Sequence, residues 1–191
     1  HAHTTRARVQ ATSPGSNQGL ETHGVNNAEA LKESAVRYRL SGNISDARSS
    51  YARMELLDRY HGAASGIFSC DEHLAGLHPS HGTELCTVVE AMFSFETMFS
   101  IHGDPIFAER VERLAYNALP AELTEDMWSH QYLQQPNAII AASQNEHFWA
   151  TDGPDATTMN LEPNFPCCTG ASLHRGRYFV QLAGLSLWWS V

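Results

Sequence analysis

Lysine is nearly absent: of twelve basic residues in the 191-residue chain, only Lys32 is lysine. Charged residues of all kinds reach 17%, below the roughly 25% of an ordinary soluble domain. That shortage, beside 42% hydrophobic residues, excludes a disordered charged tail and leaves material for a core. No apolar run approaches the ~18 residues of a membrane span, so no membrane partner is expected. Net charge is −9, which argues against a nucleic-acid partner, since phosphate backbones select basic surfaces. Cysteines are few, at Cys70, Cys86, Cys167 and Cys168, and two are adjacent. Adjacent cysteines seldom meet disulfide geometry, so a metal site or a reactive thiol is the sharper reading. What is plentiful is histidine: protonating all eleven brings the charge from −9 to +2.

Residues 1–25 are poor in apolar side chains and read as a loop, with Ser13-Pro14-Gly15-Ser16 and Asn17-Gln18-Gly19 as turn signals, and 1–21 form a lead-in. Spacing then predicts four helices. The first spans about 26–41, with Ala28, Leu31, Ala35 and Tyr38 on one face and Gly42 after its end. The second spans 45–61, capped by Ser45, with Ala47, Tyr51 and Met54 in its stripe. Residues 63–82 read as a long loop. The third helix spans 83–102, capped by Thr83, with Val88, Met92 and Phe95 buried. The fourth follows Asp104-Pro105 and runs to about 119, with Tyr116 and Leu119 as core. Helix, Gly42-Asn43, helix is echoed 61 residues later by helix, Gly103-Asp104, helix. This is the trace of repeated helical hairpins and predicts a mainly α fold. Asn43-Ile44-Ser45 is a glycosylation acceptor pattern, and the expected location is extracellular.

Glu84 and Cys86 stand near the start of a helix, and Cys167-Cys168 follow Pro166. One carboxylate and three thiolates suit tetrahedral zinc, although buried apolar cysteines explain the same residues. Asp71-Glu72-His73 precedes this helix, and His23-Gly24-Val25-Asn26 and His130 to Asn137 add imidazoles and amides. Taken alone, Glu72 reads as a solvated carboxylate, His23 as a surface or capping residue and Trp149 as packing. Cys70 matches no ligand position and reads as a free thiol.

Six motifs in order carry a resemblance: His23-Gly24-Val25-Asn26, Asp71 to Gly76, Gly82-Thr83-Glu84-Leu85-Cys86, Tyr116 to Pro120, His130-Gln131-Tyr132 and Asn164 to Thr169. Over residues 22–170 the chain resembles the beta-L-arabinofuranosidases of glycoside hydrolase family 127. The resemblance implies part of an (α/α)6 barrel, with 171–191 a divergent C-terminal segment. It implies zinc held by Glu84, Cys86, Cys167 and Cys168, Cys167 as nucleophile and Glu72 as general acid/base. It also implies a carbohydrate substrate from plant-type glycans, met by His23. Imidazoles and amides at His130, Gln131 and Asn137 could bond sugar hydroxyls, and Trp149 could stack on a sugar face. Early barrel helices and sandwich domains of the family are not in this sequence, so exposed helix faces call for a partner such as a second copy. Two other classes stay open. His1 at a true N-terminus would offer copper a site for polysaccharide oxidation. The chain could also be a non-catalytic, zinc-stabilised carbohydrate-binding fragment.

Overall fold

The computed structural model describes residues 23–143 and 153–171. In chain order the elements are α1 (Gly24–Ala30), α2 (Glu33–Ser41), α3 (Ile44–His61), β1 (Cys70–Asp71), β2 (His73–Leu74), β3 (Thr83–Glu84), α4 (Leu85–His102), α5 (Pro105–Arg113), a π turn (Leu114–Ala118), α6 (Leu119–Ala121) and β4 (Leu133–Gln134). The fold is mainly helical and built from helical hairpins, consistent with a fragment of a helical barrel. Among the described residues no helix is long and apolar enough to cross a membrane.

The two hairpins use one device twice. Gly42 and Gly103 both adopt φ +66° and close their helices, donating N–H to the carbonyls of Tyr38 and Phe99 at 2.8 Å. The left-handed conformation suits a residue without Cβ. The next residue then caps the following helix. Asn43 Oδ1 accepts from Ser45 N–H at 3.0 Å, and Asp104 Oδ1 accepts from Ile106 N–H at 3.1 Å, with Pro105 in the first turn. Tyr51 Oη donates to Asp104 Oδ2 at 3.0 Å and ties the hairpins together. Between them lies the main core, which includes Leu31, Met54, Leu57, Val88, Met98, Phe107 and Leu114.

Several sequence expectations need correction. The helix expected over 26–41 is two, α1 and α2, broken at 31–32; Arg53 Nη1 takes the freed carbonyl of Ala30 at 2.9 Å. The cap of α3 is Asn43, not Ser45. Thr83 does not cap α4: it lies in β3, pairs with Cys70 and Gln134, and donates its hydroxyl to Phe68 O at 3.1 Å. The expected loop over 63–82 contains β1 and β2. The fourth helix stops being α at Arg113. Pro120 has no N–H to donate to Tyr116 four residues back, and the chain widens into the π turn before it. Tyr116 is consequently 60% exposed rather than core, whereas Leu119 packs against the buried clusters.

The strands form a four-stranded sheet in the order β2-β1-β3-β4, with β1 and β3 parallel and the outer pairs antiparallel. It is only two residues wide, and its value is positional. It sits at the N-terminus of α4, over a second apolar cluster of Leu85, Val89, Tyr132, Leu133 and Ala156. Its edges present Glu72, Glu84 and Tyr132 to one place.

Candidate active and metal site

Glu84 ends β3 and is the N-cap residue of α4, so it leaves a strand and Cys86 begins a helix two residues later. That strand-to-helix switch turns both side chains toward the same space. The other half comes from the helical turn over 167–171, where Gly170 N–H donates to Pro166 O at 3.0 Å. Cys86 Sγ lies 3.2 Å from Cys168 Sγ; Cys167 Sγ lies 3.8 Å from Cys168 Sγ and 3.8 Å from Glu84 Oε1. One ligand atom from each of the four residues falls within 4.8 Å of all the others. A tetrahedral ion holding sulfurs at ~2.3 Å would space them about 3.8 Å apart; the donor set fits zinc and the Cys167–Cys168 pair has that spacing, whereas Cys86 and Cys168 are closer. All four cysteines are free thiols. Cys70 stands apart, fully buried, 3.1 Å from the Thr87 hydroxyl, with burial pushing its thiol upward.

The sulfurs are not equivalent. Cys86, Cys168 and Glu84 are buried, whereas Cys167 is half-buried and reaches the surface of the cluster. Hydrogen bonds from Cys168 and Cys86 favour the Cys167 thiolate and hold its pKa far below that of an ordinary thiol. Cys168 and Cys86 are pushed the other way, Cys168 first by its bond to Cys167. A lowered thiol pKa in a half-open position is the setting of a sulfur nucleophile.

Glu72 stands beside this cluster, with one ligand atom each of His23, Glu72 and Glu84 within 4.8 Å of one another. It is the single residue between β1 and β2 and takes φ +62°. Its carbonyl accepts from Gly24 N–H at 2.8 Å, its Oε1 accepts from the Tyr132 hydroxyl, and its Oε2 is 3.2 Å from His23 Nε2. Tyr132 Oη also lies 3.9 Å from Cys167 Sγ, so one phenol spans the carboxylate and the sulfur. Burial and the Glu72 carboxylate raise the phenol pKa strongly, which keeps it a donor. His23 Nε2 is 4.0 Å from Glu84 Oε2 and bridges the two carboxylates.

The remaining sequence candidates divide. His130 donates from Nδ1 to the Gln131 carbonyl at 2.8 Å, and its Nε2 meets the Thr169 hydroxyl at 2.9 Å, beside Cys168. Gln131 Nε2 donates to Thr157 O at 2.6 Å. Both side chains are buried and engaged within the protein, where they fix the 157 and 169 segments. Asn137 is exposed in the turn after β4. His1 and Trp149 lie outside the described residues.

Tyr132 stands in the sequence only as the end of the His130-Gln131-Tyr132 motif, with no role attached, and Glu122 carries no sequence signal at all. Glu122 is fully buried beyond α6, and neither carboxyl oxygen has a hydrogen-bond partner among the described residues. Burial first, and the Glu84 carboxylate second, raise its pKa well above the usual range. The folded chain therefore holds this proton where the unfolded chain has released it. Stability is fullest below the unfolded glutamate pKa of about 4.3 and declines as pH rises toward the raised folded value, by up to ~1.4 kcal/mol per pH unit. Glu122→Gln should flatten this decline, raising the melting temperature at pH 8 relative to pH 4.5. Parallel melting curves for the two proteins would contradict this account.

The family model for the beta-L-arabinofuranosidase, GH127 catalytic domain matches residues 33–179, overlapping most of the 22–170 unit expected from the motifs. No curated protein and no solved structure matches the chain. With most of its length covered by that one family model, the chain belongs to the catalytic-domain family of the beta-L-arabinofuranosidases, glycoside hydrolase family 127.

Proposed function

We propose that the protein is a zinc-dependent retaining glycoside hydrolase that cleaves β-L-arabinofuranosyl units from plant-type glycans, with Cys167 as nucleophile and Glu72 as acid/base. The carrying observation is the gathering of Glu84, Cys86, Cys167 and Cys168 within 4.8 Å. Bound zinc would supply positive charge that keeps the ligand thiols ionised at neutral pH. Glu72 protonates the glycosidic oxygen as the C–O bond breaks, and the Cys167 sulfur forms a bond to the anomeric carbon. Glu72, now a carboxylate, takes a proton from water; the water oxygen displaces the sulfur, and two inversions restore the configuration. Tyr132 and His23 orient the Glu72 carboxyl through both these steps. His23, 31% exposed in its side chain, is the imidazole placed to meet a sugar hydroxyl. An extracellular location suits a glycan substrate, and a second copy would cover exposed apolar groups such as Leu40 on α2.

Leaving-group dependence tests the roles. An activated nitrophenyl glycoside needs little acid assistance, but hydrolysis of the sulfur-bound sugar still needs a base. Glu72→Gln should therefore accumulate a sugar adduct on the peptide carrying Cys167, seen by mass spectrometry, with turnover reduced about 10²–10⁴-fold. Absence of an adduct, or unchanged turnover, removes Glu72 from the mechanism. If sugar binds yet no variant or wild-type chain cleaves it, the non-catalytic binding reading replaces this one.

A further inference from the structure

The proposed acid/base stands on an awkward piece of backbone. A non-glycine residue at φ +62° is strained and persists only where its surroundings impose it. Downstream, β2 pairs with β1 at Asp71↔His73, and Gly24 and His23 hold Glu72 from the front. From behind, the last fixed point is the side chain of Asp71, which is 4% exposed. Its Oδ1 accepts from Gly82 N–H at 2.7 Å, and its Oδ2 is bonded by His81 Nδ1. The backbone adds Cys70 N–H to Gly82 O at 2.8 Å. The segment before β3, which also delivers Glu84, is thereby tied to the residue that precedes Glu72. His81 itself is held, with its N–H donating to His78 O at 3.0 Å.

We infer that His81 is a positioning residue for Glu72: by bonding the Asp71 carboxylate it fixes the turn from which the acid/base reaches the glycosidic oxygen. The inference rests on the role proposed above for Glu72. The imidazole bonds the Asp71 carboxylate, and it acts through that residue. Only its Nδ1 proton is required, so an amide that places N–H at the same point should serve.

The test uses the whole zinc-loaded chain, with His81→Ala and His81→Asn. A displaced acid penalises a methyl β-L-arabinofuranoside, whose leaving group needs protonation, more than a nitrophenyl one, which does not. His81→Ala should lower kcat/KM on the methyl substrate about ten-fold more than on the nitrophenyl substrate, with zinc content unchanged. His81→Asn should recover most of the difference. Equal losses on both substrates, or no recovery with Asn, would overturn the inference. If the wild-type chain cleaves neither substrate, the glycosidase reading fails separately, and the positioning role is read from the carbon-13 carboxyl resonance of Glu72, assigned with Glu72→Gln. That resonance should move in His81→Ala and return in His81→Asn; a resonance that stays in place in His81→Ala refutes the role.

Discussion

Replacing Cys167 with alanine is expected to abolish glycoside cleavage, by on the order of 10⁴–10⁶-fold, the scale on which nucleophile deletions act. The reason lies in the inequality of the sulfurs. Cys86 and Cys168 are enclosed, at 5% and 0% exposure, and no sugar carbon can reach them in line. Cys167 is half-buried, its thiol pKa is lowered by its bonds to Cys168 and Cys86, and it faces Glu72 across the Tyr132 hydroxyl. Because Cys167 also belongs to the proposed ligand set, Cys86→Ala is the necessary control: it removes a ligand and spares the attacking sulfur. Zinc content measured on both variants separates the two effects. Loss of activity in Cys167→Ala with zinc retained assigns the sulfur to chemistry. Retained cleavage in Cys167→Ala would exclude the cysteine mechanism, and dependence on His1 instead would transfer the activity to the copper alternative.

Stripping the proposed zinc should produce the largest change in stability. Three sulfurs and the 1% exposed Glu84 crowd together at the junction of β3, α4 and the 167–171 turn. Without a cation, a buried carboxylate and ionisable thiols oppose one another where the 167–171 turn meets α4. A ligand at 1,000 times its Kd stabilises a fold by about 4 kcal/mol, roughly 8–16 °C in Tm for a chain of this size. A chelator should lower the melting temperature by that amount, and stoichiometric zinc should restore it. Acid should mimic the chelator, because the thiols must lose protons to bind. A melting curve indifferent to chelator, together with dialysed protein free of zinc, would sink the metal reading.

Local signals in the sequence were strong where the physics is local. Gly42-Asn43 and Gly103-Asp104 stop one helix and cap the next using atoms within a few residues, and both hairpins follow from them. The apolar stripes of α3 and α4 mark the core for the same reason. The two-residue strands were illegible, since Cys70, Thr83 and Gln134 pair only because the chain returns from far away. Thr83 looked like a helix cap because a cap and a strand end can share one sequence. Gln131 offers the complementary lesson: expected among sugar contacts, it is buried and bonds the Thr157 carbonyl instead.

The sequence alone determined the inventory: four cysteines, a glutamate two residues before one of them, a histidine-rich remainder and helical hairpins. Those properties depend on residue type and short spacing. Only the tertiary structure decided which sulfur is open, that Tyr132 joins Glu72 to Cys167, and that Asp71 and His81 stand behind Glu72. Exposure and thiol ionisation are set by neighbours up to 83 residues away along the chain. Their proximity is a product of packing, which no local pattern encodes.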